Sequence, residues 1–194
     1  MCMLRFPKRE GPPRVAPAEP PHDEATAAAL DALGGRIALF RVFARRPERA
    51  HGLQGWGRYY LSRQSALGLR HRELVIGRTT VRCGAEYEWG VHVAVFARKA
   101  GLDDGQIRSL VAGGHQDPCW TDPGDRAVIR AVDALCEAHD LTDAEWRELA
   151  AAVGEEAAVD LLLLCGWYHA VSFAARVLRL PQEPGTPAFS DYLA

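Results

Sequence analysis

From residue 23 onward, apolar side chains recur every three or four positions, the period of helices with one buried face. Asp23-Glu24 opens an Ala-rich helix that Gly34-Gly35 interrupts. Ile37, Leu39, Phe40, Val42 and Phe43 supply the next apolar face, and Pro47 suits the first turn of the helix after it. The spacing then predicts a helix from Arg70 to about Arg82 and another from Glu86 to Lys99, loosened apart at Gly84 and stopped by Gly101. Asp103 to Gln106 and Thr142 to Glu145 read as capping boxes, with a helix over 125–139 between them. A last long helix spans roughly 155–180, up to Pro181. No strand-period run survives, so the fold class is all-α. Residues 1–22 hold six of the twelve prolines and no apolar period, which predicts an extended, mobile arm. Residues 23–185 read as one domain and 186–194 as a C-terminal tail.

Composition narrows the function classes. The chain has 194 residues, 48% apolar and 25% charged, with a formal net charge of −2. That is the make-up of a soluble globular domain, without the basic face that nucleic acid requires. Arg63, Arg70, Arg72, Arg78 and Arg82 form a locally basic stretch, read as ion-pairing and interface arginines. The best unbroken apolar run, Ala157 to Cys165, is too short to cross a bilayer, and the N-terminus lacks the apolar run of a signal peptide. A cytoplasmic location without membrane partners is the expectation. Five cysteines at wide spacing, with no C-x-x-C, read as reduced thiols.

The chemistry concentrates in one region. Glu88 and His92 are four apart and share a helix face, surrounded by Tyr87, Trp89, Val91 and Val93. Glu73 lies one helix earlier beside Leu74, Val75 and Ile76, where an unpaired carboxylate would cost several kcal/mol. An antiparallel helix pair would bring the two glutamates and the histidine together. These residue types fit catalysis and a structural polar network equally well. Trp167, Tyr168 and His169 could line a pocket with Trp89, or form an aromatic core stripe. Cys83, next to Arg82, has no second cysteine close in sequence and reads as an inert thiol. His71, His115 and His139 lack partners at ligand spacing, so no metal is assigned.

These segments resemble the carboxymuconolactone decarboxylase family, whose all-helical fold is shared with alkylhydroperoxidase D-like proteins. The resemblance covers about residues 37–185. It runs through Arg72-Glu73-Leu74-Val75-Ile76-Gly77-Arg78, Tyr87-Glu88-Trp89-Gly90-Val91-His92 and Gly166-Trp167-Tyr168-His169. The peroxidase branch carries a C-x-x-C pair before its histidine. Aligned on His92, those two places fall on Ala85 and Glu88, so neither sulfur is present. The decarboxylase branch is the one that Glu88 and His92 are similar to.

The resemblance implies a cofactor-free decarboxylation of a small carboxylated lactone or related metabolite. His92 would donate or shuttle the proton, Glu73 would orient it, and Glu88 would act as acid/base or keep the departing carboxylate desolvated. Arg78, Tyr87, Trp89, Tyr168 and His169 would contact the substrate, Arg78 as a carboxylate anchor or else as an ion-pair partner of Glu73. The family forms homo-oligomers, trimers or hexamers. Two other readings stand beside this one: a thiol-dependent peroxidase built on Cys83, and a non-catalytic binding oligomer whose polar cluster only sets helix register.

Overall fold

A computed structural model describes residues 11–193 and contains no strand among them. Its helices are α1 (Glu24–Leu33), α2 (Ala38–Ala44), α3 (Pro47–Tyr60), α4 (Leu69–Arg82), α5 (Glu86–Phe96), α6 (Asp104–Ala112), α7 (Pro123–Ala138), α8 (Asp143–Val153) and α9 (Glu155–Leu178). A short 3-10 turn follows at Phe189–Tyr192.

The boundaries follow local chemistry. Asp23 accepts from Thr26 N and starts α1, and Gly34, at φ 84, ends it in a left-handed conformation. Both anticipated capping boxes form, Asp103 with Gln106 on α6 and Thr142 with Glu145 on α8. Pro47 occupies the first turn of α3.

At the centre lies α4, buried from Arg72 through Val81 with α5, α6, α7 and α9 packed around it. Leu74, Val75, Ile76, Trp89, Ile129 and Leu161 meet there. A helix buried on every side has no solvent face for its polar residues, so Arg72, Glu73 and Arg78 must find partners inside. That demand builds the site.

Three expectations change. The tail does not hang free, because Phe189 and Tyr192 pack on Trp89 and Phe189 N donates to Glu86. Gly90 permits this crossing, since a Cβ there would meet the Pro187 carbonyl at 2.6 Å. Residues 11–22 are likewise tied down, Arg14 N bonding the Leu178 carbonyl and Ala18 N that of Arg41. The arm's residues 1–10 lie outside the described residues.

The third change concerns α9. By length and composition it is apolar enough to cross a membrane, although its unbroken apolar run is short. Its inward face is spent on the core, and Asp160 within it is buried and accepts from Tyr59, Ser65 and Ala66 N. Its outward face is apolar as well.

Candidate active site

Glu73, Glu88 and His92 converge between α4 and α5, with 4%, 5% and 6% of their surface exposed. The antiparallel hairpin of these helices, turned by residues 83–85, brings Glu73 Oε2 to 2.8 Å from His92 Nδ1. The i, i+4 spacing places Glu88 Oε1 3.5 Å from Nε2, an ion-pair contact too long for a strong hydrogen bond. Tyr168, from α9, completes the ring's environment with its hydroxyl 2.9 Å from Nε2.

Four buried charges then balance. Arg72 Nε donates to Glu73 Oε1 at 2.9 Å, so two cations, Arg72 and His92, face two carboxylates. Burial pulls His92 toward the neutral form, but the charge and hydrogen bond of Glu73, backed by Glu88, outweigh it and hold the imidazole at about 9. His92 is therefore an imidazolium at neutral pH, donating from both nitrogens. Burial, followed by the charges of Glu88 and Glu73, lifts the Tyr168 phenol well above its usual range, so it stays a neutral donor. Glu88 Oε2 is buried and has no hydrogen-bond partner. Trp89 Nε1, on the next residue, is likewise buried without a partner.

Room at this point is scarce. The void lined by Glu73, Gly77, Trp89, His92, Val93 and Leu110 measures about 10 Å³, the space of one water. Phe96, one turn beyond His92, covers the ring at 5.3 Å, with the Arg72 and Lys99 cations over its own face. A larger recess, about 670 Å³, is lined by Val15, Val42, Arg45, Arg46 and Leu178 and by none of the residues of this cluster.

The other anticipated contact residues divide. Tyr168 joins the cluster and Trp89 lines the void, its outer side covered by the C-terminal turn. Arg78 does neither of the things expected of it. Its guanidinium holds Asp133 through two bonds of 2.6 and 2.9 Å and the Leu110 carbonyl through a third, while Arg72 takes Glu73. Tyr87 points away toward α2, donating to Glu183 at 2.6 Å and accepting from Leu39 N. Burial and then the Glu183 bond push its phenol up. Within the arginine stretch, Arg70 pairs with Asp125 and Arg82 with Asp133.

His169 faces away from His92, into a second constellation that sequence spacing hides. The ligand-capable atoms of Cys136, Cys165 and His169 all lie within 4.8 Å of one another. Cys83, read as an inert thiol, lies close enough to influence both His169 and Cys136 electrostatically. The neighbouring Cys136 thiol, and then His169 and Thr79, pull Cys165 toward the thiolate against burial.

No known family's sequence profile matches the chain, and no curated protein does. Among solved structures, the chain is similar to the apo crystal structure of the debrominase Bmp8, with 15% identity and a TM-score of 0.70. The match spans 93% of this chain and 98% of that one. At this identity the likeness establishes a shared helical fold, and that neighbour is an enzyme.

Proposed function

We propose that the chain is a cofactor-free acid/base enzyme of the carboxymuconolactone decarboxylase type, acting on a small carboxylated lactone or related metabolite. The observation that carries this is the protonated His92 held between two buried carboxylates, one of which keeps an unpartnered oxygen. The open oxygen is available to a donor on a bound molecule, beside a protonated imidazole that can deliver a proton. An enzyme on the same fold supports a catalytic role.

In this reading the substrate's departing carboxylate lies beside Glu88, where like charge and desolvation favour its loss as carbon dioxide. The electrons left behind delocalise onto a carbonyl oxygen. The Tyr168 hydroxyl and the Nε2–H of His92 stabilise that enolate, and His92 returns a proton to carbon. Glu73 holds the imidazolium's orientation through Nδ1, and Arg72 fixes Glu73. Phe96 must swing aside, because the void holds no more than a water.

The test is carbon dioxide release from carboxymuconolactone by the pure protein; none released removes the substrate assignment. Glu88→Gln is expected to lower the rate about a hundredfold. Its stability should fall as well, since the neutral amide removes one of the two carboxylates that face Arg72 and His92. Unchanged turnover with altered stability would favour a scaffold.

The same reading places the protein in the cytoplasm, on a small molecule, with no nucleic acid or membrane partner, and as a homo-oligomer. Along the outer face of α9, Val159, Leu163, Gly166, Ala170, Phe173 and Val177 alternate at spacings of four and three. That is a helix-pairing seam left open to solvent, with Phe173 62% exposed. A second copy fits it. Phe173→Asp should turn the assembly into monomers by light scattering; an unchanged mass would place the contact elsewhere.

A further inference from the structure

We propose that Cys136, Cys165 and His169, with Cys83 as the fourth ligand, form a site for a soft divalent cation, zinc first among them. The four side chains come from three separate helices. Cys83 is the C-cap of α4, Cys136 lies in the last turn of α7, and Cys165 and His169 stand one turn apart on α9. Nothing in the decarboxylase chemistry uses any of them.

Geometry comes first. In tetrahedral zinc, bonds of about 2.3 Å to sulfur and about 2.0 Å to nitrogen put the ligand atoms about 3.5–3.8 Å apart. Here the two sulfurs and the imidazole nitrogen lie within 4.8 Å, and Cys165 Sγ stands 3.9 Å from His169 Nδ1. Side-chain rotations of about 1 Å close the set around an ion. Cys83, at the C-cap of α4 and near enough to act electrostatically on His169 and Cys136, is the thiol that would turn in to supply the remaining corner.

The donor chemistry agrees. Three thiols and an imidazole are soft and borderline ligands that favour zinc over magnesium or calcium, which want oxygen. The surrounding shell is already in place. Thr79 Oγ1 donates to Cys165 Sγ at 3.4 Å, and His169 Nδ1, 2.9 Å from the Cys165 carbonyl, would exchange that bond for the ion. A disulfide between Cys136 and Cys165 would leave Cys83 and His169 without a role. Metal binding engages all four.

The consequence is structural. Such an ion would tie the ends of α4 and α7 to the middle of α9. Tyr168, adjacent to His169 in the chain, would thereby be held at the angle that presents its hydroxyl to His92. Cys83, Cys136 and His169 are each partly exposed, so an ion has a way in.

The experiment uses full-length protein, reduced, stripped with chelator and titrated with cobalt(II). One equivalent should bind with a thiolate-to-cobalt charge-transfer band, and one equivalent of zinc should displace it. Cys165→Ser should abolish the band. Cys83→Ser should weaken zinc binding by about tenfold or more, and Cys119→Ser, outside the cluster, should change nothing. Zinc should also protect Cys83, Cys136 and Cys165 of the unaltered chain from alkylation, read by mass spectrometry, which covers the case where Cys165→Ser does not fold. Absence of the band, binding that survives Cys165→Ser, or thiols alkylated equally with and without zinc would each overturn the proposal.

Discussion

Glu73→Ala should cost about 3–5 kcal/mol of folding stability, measured from urea midpoints at constant m. Glu73 is the one group that touches both cations of the buried quartet, Arg72 at 2.9 Å and His92 at 2.8 Å. Removing it strands a guanidinium inside the domain and leaves His92 facing only Glu88. Water cannot reach either cation to compensate. The contrast with the surface sets the scale: Arg36 and Asp31 are just as close, at 2.8 Å, but both are more than half exposed. Such a pair is worth about 0–1 kcal/mol. A Glu73→Ala loss below about 1 kcal/mol would mean that solvent enters the crevice, and the dry-site argument would fail with it.

Stability should also fall as pH rises from neutrality toward 9, through His92. Its folded value, about 9, exceeds the ordinary 6.5. The proton is thus held more tightly folded than unfolded. The resulting stabilisation, about 3 kcal/mol, is complete below pH 6.5 and is lost as pH climbs through about 9. His169 is raised too, by its bond to Cys165 and the proximity of Cys83, so the total pH profile mixes two histidines. The difference between the unaltered protein and His92→Gln isolates the one of interest. That difference should shrink steadily from pH 6.5 to 9. A flat difference would show that His92 is neutral in the fold, and the general-acid role would go to another group.

These two effects depend on residues of unequal visibility in the chain. Glu88 and His92 could be paired from spacing alone, because four residues make one helical turn and the flanking apolar positions demand burial. Glu73 followed from the same logic applied to the preceding helix. Arg72 did not. Neighbours at i and i+1 point to different helix faces, yet its long side chain folds back to Glu73 inside a helix buried on every side. Arg78 was misplaced because its partner, Asp133, is 55 residues away on α7. Tyr87 was misplaced for the same reason, with Glu183 lying 96 residues further on. The cysteine cluster was invisible, since its members are spread from residue 83 to 165 and meet only where α4, α7 and α9 cross.

The chain alone determined that it would be helical, where most helices start and stop, and which three proton-handling residues share a crevice. Those are local matters, set by a 3.6-residue period, by caps and by the cost of burying a lone charge. Which arginine answers Glu73, which aromatic hydroxyl reaches His92, and that Cys136, Cys165 and His169 gather at a helix crossing were decided only by tertiary packing. Packing brings together groups whose separation along the backbone carries no periodic signal.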